Sequence, residues 1–203
     1  MPAMMSSSRS QPPVELERAA ERKLVRQAAR GDHAAARAFI RRYQRPVAGV
    51  LRRMLRPSGL DSLTEDLAQE TFVRAFAALP RFDVDGPAKV STWIVTIATR
   101  LALQTLQKRR VPTEALHEAP VVAAGAATAA DAGATRAALG RAIERAVAEL
   151  PPPHRAAWVL REFHDLEYAE IADALQIDIG TVKSRLNRAR TALRTALKRQ
   201  RHD

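Results

Sequence analysis

The stretch EYAEIADALQIDIGTVKSRLNRARTALRTALK, residues 167–198, is the part of the chain whose pattern decides the fold. Its beginning predicts a short helix with Ile171 and Leu175 facing inward, and the following Gln-Ile-Asp predicts a tight turn. Val182 and Leu186 then begin the thin apolar stripe of a longer, strongly basic helix. A short helix, a tight turn and a longer basic helix together make a helix-turn-helix motif.

The basic helix carries the side-chain types that recognition of duplex DNA requires. From position 181 to position 203 there are eight Lys or Arg residues against one Asp. In a helix-turn-helix the N-terminal end of the second helix meets base edges in the major groove, while neighbouring cations hold phosphates. The candidate DNA-contacting residues are Thr181, Lys183, Ser184, Arg185, Asn187, Arg188 and Arg190. A solvated basic surface helix is the alternative interpretation, and in both cases Asp178 is the expected N-cap.

The overall composition favours a polyanionic partner and excludes some classes of site. The 203 residues include 33 Lys or Arg against 22 Asp or Glu, which gives a net charge of +11. Such an excess favours nucleic acid, because phosphates neutralise the cations and release counterions. The absence of cysteine excludes disulfides and cysteine-ligated zinc. No apolar segment predicts a secretory signal or a membrane span, so we expect a cytoplasmic protein without membrane insertion.

The rest of the chain also has helical periodicity, and because no useful length of strand-like alternation occurs, we predict an all-α protein. In the N-terminal half, Asp32 is predicted to cap a helix, and Pro46 to kink that helix or begin a new one. A second helix is predicted to stop at Pro80 and a third to begin at a Ser91 or Thr92 cap.

The third helix has one apolar side and a basic end. Trp93, Ile97 and Leu101 recur at i, i+4 and i+8 and predict its buried side. The Lys-Arg-Arg tripeptide at 108–110 is favourable at the negative end of the helix dipole.

Composition changes along the chain predict two small helical domains joined by a flexible linker. Residues 1–14, rich in Ser, Pro and Met, are predicted to be a flexible tail, and 15–110 the first domain. An abrupt change to Ala, Pro, Gly and Thr predicts the linker at 111–134. Residues 135–203 are then the second domain, which contains the helix-turn-helix.

Two segments resemble the conserved regions of one protein family. LPPPHRAAWVLREFHDLEYAEIADALQIDIGTVKSRLNRAR resembles region 4 of bacterial sigma factors, which recognises the upstream promoter element. LTEDLAQETFVRAFAALPRF followed by STWIVTIATRLALQTLQKRR resembles region 2, which binds core RNA polymerase and the downstream element. Two such regions with only a linker between them resemble the compact extracytoplasmic-function (ECF) group. The resemblance implies that the chain binds core RNA polymerase and promoter DNA, and that an anti-sigma factor holds it when free.

The resemblance also assigns roles by position. The polymerase-binding residues are expected to be Glu65, Asp66, Leu67, Gln69 and Glu70, whose negative charge suits a basic protein surface. Asp83, Asp85, Lys89 and Thr92 are the candidates for a pocket that holds a base of the downstream element. Arg100, Gln104, Lys108, Arg109 and Arg110 are the candidates for binding its opened strand.

The chain departs from the family pattern at three positions. The family usually has Asn where Arg100 stands and Asp where Gln104 stands, so the resemblance does not define the downstream-element preference. It usually has Gly where Gln176 stands, in the turn of the helix-turn-helix. A non-glycine residue with positive φ there costs on the order of 1 kcal/mol.

Two other classes of function compete with a sigma factor. A stand-alone helix-turn-helix regulator would need no acidic docking helix in its N-terminal half. An enzyme acting on nucleic acid would need a phosphate-binding glycine loop, a metal-binding cluster or a Ser/His/Asp arrangement, and the sequence has none of these patterns. We therefore expect no catalytic residues, no cofactor or metal and no small-molecule substrate.

Overall fold

The computed structural model describes residues 14–109 and 132–199, and within these ranges every regular element is helical. The eight α-helices are α1 (Val14–Ala29), α2 (His33–Leu55), α3 (Thr64–Ala78), α4 (Val90–Lys108), α5 (Ala132–Ala148), α6 (Pro152–His164), α7 (Tyr168–Leu175) and α8 (Ile179–Arg199). The all-α prediction is confirmed for these ranges. Most of the predicted tail and linker lies outside the described residues.

The first four helices form an N-terminal domain around α2, which packs against α1, α3 and α4. Asp32 caps α2 as predicted, because its side chain accepts from the backbone nitrogens of Ala34 and Ala35 at 2.8 and 3.0 Å. Phe39 and Val47 lie on the fully buried face of this helix. The helix passes through Pro46 without a break. The alternative that a new helix begins at Pro46 is therefore wrong.

Helix α4 begins and packs differently from the prediction. It begins at Val90 with Lys89 in the N-cap position and no side-chain cap, so neither Ser91 nor Thr92 is the cap. Its most buried side chains include Ile94 and Ala98, whereas Trp93 and Ile97 are only half-buried. The physical reason is that α4 packs against α2 and α3 of its own domain and also against α6 and α7, whereas a single apolar stripe indicates only one buried side.

Helices α5 to α8 form a C-terminal domain in which α8 packs against the other three. Val182, Leu186 and Leu193 are buried as predicted. A reciprocal capping box starts α7, with Glu170 accepting from the backbone nitrogen of Glu167 at 2.7 Å. The turn between α7 and α8 begins at Gln176. The predicted helix-turn-helix is thus present.

The two domains pack against each other, with α2 and α4 contacting α5, α6 and α7. Arg155 on α6 is only 4% exposed. Its guanidinium donates to the carbonyl oxygens of Met54, Ala148 and Leu150, each at 2.8 Å. Burial lowers the pKa of Arg155 to about 10, so it remains charged at neutral pH.

Candidate nucleic-acid and protein interfaces

The outer face of α8 presents most of the predicted DNA-contacting side chains to solvent. Four of the seven predicted residues are exposed on the side of α8 opposite its buried apolar stripe, and the other three are half-buried. The exposed ones are Lys183, Ser184, Asn187 and Arg188, and the half-buried ones are Thr181, Arg185 and Arg190. Helix α8 thus has one basic face in solvent while its other face packs against the domain, which is the arrangement that insertion into a major groove requires.

Several of these side chains already have protein partners. The Ser184 hydroxyl donates to the Thr181 carbonyl at 2.9 Å. Arg190 lies 3.7 Å from a carboxylate oxygen of Glu162 on α6. Ser184 and Arg190 would have to exchange these contacts for DNA, whereas Lys183 has no ion pair among the described residues. Lys183 is therefore the more available cation.

His154 on α6 adjoins the basic face. Burial lowers its pKa, and the positive charges of Arg188 and Arg185 lower it further. His154 is therefore neutral at pH 7 and adds no further positive charge beside the two arginines. Its proximity shows that α6 supports the N-terminal half of α8.

The loop before α4 forms an open cleft with α1. The cleft measures about 400 Å³ and is lined by Arg26, Phe82, Asp83 and Asp85 among others. The Asp83 carboxylate accepts from the backbone nitrogens of Asp85 and Gly86, both at 3.1 Å, which shapes the turn. Of the four predicted pocket residues, the two aspartates line this cleft, and Lys89 and Thr92 do not.

Asp85 has a structural contact that the sequence did not reveal. Its carboxylate pairs with Arg26 at 2.5 Å and lies 3.5 Å from Arg22, both on α1. These ion pairs are half exposed, so each contributes little to stability. They nevertheless hold the loop against α1 and leave Asp85 less available to a ligand than Asp83.

Helix α4 places its predicted strand-binding residues on the surface. Arg100, Gln104, Lys108 and Arg109 are all exposed, and Arg110 lies outside the described residues. Arg100 differs from the others because its guanidinium bonds to the C-terminal domain. Nε donates to the Ala174 carbonyl at 2.8 Å, and a terminal nitrogen donates to the Asp173 carbonyl at 2.7 Å.

The predicted polymerase-binding residues lie on α3. Glu65, Asp66 and Gln69 are exposed, and Leu67 and Glu70 are half-buried. The Glu70 carboxylate accepts from Arg74 at 2.7 Å, an i, i+4 pair that partly neutralises it. The exposed surface is therefore negative mainly at Glu65 and Asp66.

Sequence reasoning missed one residue of this surface. Val73 is 63% exposed. It follows Gln69 by four residues and Glu65 by eight, so it lies on the same helical face as both. Val73 therefore adds exposed apolar area to the face that carries Glu65 and Gln69. The i, i+4, i+8 spacing could have revealed it from the sequence.

The described ranges contain no group of three metal-ligating side chains, and none of their helices is long and apolar enough to cross a bilayer.

Comparison with protein families identifies both halves of the chain. Residues 39–111 match the family described as Sigma-70 region 2. Residues 140–193 match the family described as Sigma-70, region 4. The first match contains α3, the cleft loop and α4, and the second contains the helix-turn-helix.

Individual relatives extend over most of the chain. The ECF RNA polymerase sigma factor SigW of Bacillus subtilis is 31% identical over 186 residues, which cover 87% of this chain and 96% of SigW. The ECF RNA polymerase sigma-E factor of Escherichia coli is 34% identical over 178 residues, covering 84% and 90% respectively. Among solved structures, CnrH in complex with the cytosolic domain of CnrY aligns with a TM-score of 0.60 and 26% identity, covering 88% of this chain and 97% of CnrH.

Proposed function

Because the chain belongs to the ECF group of the sigma-70 family of RNA polymerase sigma factors, we propose that it binds core RNA polymerase, directs it to specific promoters and helps to open the DNA. The observation that carries this proposal is the presence, in family order, of both matched regions in one chain. Each region has its own surface: an acidic one with an exposed valine beside it on α3, and a basic one on α8. A stand-alone helix-turn-helix regulator would not need the first of these.

The face of α3 is the proposed polymerase-binding surface. Glu65 and Asp66 give it negative charge on a protein whose net charge is +11. Val73 supplies exposed apolar area beside them. A basic partner surface with an adjacent apolar contact fits this arrangement, because charges steer the encounter and apolar burial supplies affinity.

The basic face of α8 is the proposed surface for the upstream promoter element as duplex DNA. Lys183, Arg185 and Arg188 have the reach and charge to contact base edges or phosphates, and Asn187 can pair with adenine. Burial of Val182 and Leu186 against the rest of the domain holds the helix rigid for that purpose.

The cleft loop and α4 are the proposed surfaces for the opened downstream element. The cleft of about 400 Å³ can accept a flipped base, with the Asp83 carboxylate at its wall. Gln104, Lys108 and Arg109 continue along α4 as polar and cationic contacts for the unpaired strand.

We further propose that the chain acts in the cytoplasm as a non-enzymatic initiation factor, with an anti-sigma factor as a regulatory partner. CnrH, one of the similar solved structures, was determined in complex with the cytosolic domain of CnrY.

The experiment that tests the function is run-off transcription on fragmented DNA with purified core polymerase, with and without the protein. New start sites that share upstream and downstream sequences are expected. No added transcripts, together with retained binding to duplex DNA, would support a stand-alone regulator instead.

Two substitutions test whether α8 binds DNA and α3 binds polymerase independently. Arg185→Ala is expected to weaken binding to upstream-element duplex while sparing core-polymerase affinity. Asp66→Ala is expected to do the reverse. An equal loss of both activities in either variant would contradict the assignment of separate surfaces.

A further inference from the structure

The two domains are held together by arginine side chains that bind backbone carbonyls across the domain boundary. Arg100 on α4 reaches the last turn of α7, and Arg155 on α6 reaches the carbonyl of Met54 near the end of α2. Arg53 on α2 stacks on the Phe163 ring of α6, with its guanidinium carbon 3.9 Å from the ring centroid. The buried apolar residues of both domains form one continuous cluster.

The Arg100 contact matches the chemistry of a helix C-terminus. Ala174 and Asp173 belong to the last turn of α7, at the negative end of the helix dipole, and the Asp173 carbonyl also accepts from the backbone nitrogen of Gln176. The guanidinium presents two donors in a fixed fork, and both are used, at 2.8 and 2.7 Å. Since Arg100 also occupies a proposed strand-binding position, the same two donors cannot serve DNA while this contact is made.

We propose that Arg100 alternates between two partners: the C-terminus of α7 in a closed free protein, and the opened promoter strand after the domains separate. In the closed form α7 of the helix-turn-helix contacts α4 and engages Arg100, while Gln104, Lys108 and Arg109 of the strand-binding surface stay exposed. The first half of this inference stands on the contacts alone, and the second half rests on the proposed function.

Arg100 is one of the positions at which this chain departs from the usual family pattern. The family pattern usually places Asn at the position of Arg100. An Asn side chain is shorter and uncharged, and it cannot present two charged donors to the carbonyls of Asp173 and Ala174. The departure from the pattern therefore accompanies a contact that the usual residue could not make.

Domain separation in the free protein is the direct test. The chain has no cysteine, so Ser62→Cys and Thr191→Cys introduce one dye site in each domain, both at exposed positions. Single-molecule energy transfer between the two dyes measures the closed and open populations. Arg100→Ala is expected to raise the ratio of open to closed molecules about tenfold, because two charge-assisted hydrogen bonds are lost.

Arg109→Ala is the matched control. It removes one cation from the exposed end of the same helix, at a residue with no described bond to the C-terminal domain, and should leave the populations unchanged. If Arg100→Ala has the wild-type populations, or if Arg109→Ala shifts them equally, the contact of Arg100 with α7 does not stabilise the closed form. Neither result bears on whether the protein supports transcription.

A cross-linked closed form tests whether the domains must separate before the protein supports transcription. Arg53→Cys with Phe163→Cys places thiols on two side chains that touch across the boundary and belong to no proposed polymerase- or promoter-binding surface. Joining the thiols with a thiol-cleavable bismaleimide should abolish added transcription, and cleavage by a reductant should restore it. A linked protein that transcribes as well as the cleaved one would overturn the proposal that separation is required.

Discussion

At the scale of single residues, the backbone of the helix-turn-helix carries a local strain. Gln176 has φ 54° and ψ 51°, the left-handed conformation that glycine adopts without cost. Its backbone nitrogen ends α7 by donating to the carbonyls of Ala172 and Asp173. The residue that stands where the family usually has glycine thus adopts the positive φ whose cost for a non-glycine residue is on the order of 1 kcal/mol.

Gln176→Gly should therefore raise the free energy of unfolding by about 0.5–1 kcal/mol, because relief of the Cβ clash exceeds the added chain entropy of glycine. Urea denaturation followed by circular dichroism measures the change. Gln176→Ala is the control: it removes the same side chain but keeps Cβ, and should bring no gain. A stabilisation by alanine equal to that by glycine would locate the strain in the side chain.

His164 supplies a second residue-scale prediction. Burial lowers its pKa to about 4, with a further lowering by the charge of Arg53, and its Nε2 has no hydrogen-bond partner among the described residues. In the unfolded chain the pKa is about 6.5. Between pH 6.5 and 4 His164 binds a proton in the unfolded state but not in the folded state. Folding stability therefore falls as the pH drops from 6.5 towards 4.

The measurement is the difference in unfolding free energy between wild type and His164→Gln at several pH values. Taking the difference cancels the carboxylates, which titrate in the same range. The wild type should lose stability relative to the variant between pH 6.5 and 4. A difference that stays constant across this range would show that His164 is not held neutral in the folded protein.

At the scale of elements, each surface depends on one helix with two unlike faces. Helix α3 buries Thr71, Phe72 and Ala75 and leaves Val73 exposed at the C-terminal side of its acidic residues. Helix α8 buries an apolar stripe and presents cations on the opposite side. Helical periodicity therefore assigns the faces of α3 and α8, because each packs against the protein on one side.

Val73→Ser should weaken binding to core polymerase by about tenfold, since burial of a valine side chain contributes about 1.5 kcal/mol. Fluorescence anisotropy of the labelled protein titrated with core polymerase measures the dissociation constant. Leu16→Ser is the matched control, because Leu16 is also exposed, at 61%, but lies on α1. Equal effects of the two substitutions would exclude Val73 from the binding surface.

At the scale of the whole molecule, Arg155 links the two domains from a buried position. One guanidinium satisfies carbonyls at the end of α2, at the end of α5 and in the segment after α5. No carboxylate pairs with it among the described residues, so its charge is compensated by carbonyl dipoles. Loss of this side chain would leave three carbonyl oxygens without their donor.

Arg155→Met should lower the unfolding free energy by about 3 kcal/mol and separate the unfolding of the domains. The two tryptophans, Trp93 and Trp158, lie in different domains, so single-tryptophan variants report each domain in a urea titration. Arg161→Met on the same helix is the control and should cost less, because its carbonyl contact, to Leu166, stays within one domain. Coincident transitions in the Arg155 variant would show that other contacts couple the domains.

Much of the fold and the type of each surface could be predicted from local patterns. The Asp32 cap, the buried stripe of α8 and the turn at Gln176 depend on neighbours a few residues away, so their spacing was sufficient. The predicted α4 cap at Ser91 or Thr92 was wrong, since α4 begins at Val90 with Lys89 in the N-cap position and no side-chain cap. The assignment of individual residues to DNA or to polymerase remains a prediction.

The sequence by itself determined the all-helical fold, the helix-turn-helix and the family, because helical periodicity and motif spacing are properties of consecutive residues. Only the tertiary structure decided that Arg100 binds α7, that Arg155 binds the end of α2, and that Asp85 pairs with α1. These contacts join residues as much as 101 positions apart. Their partners are backbone carbonyls or side chains brought close by packing, and no spacing along the chain encodes that approach.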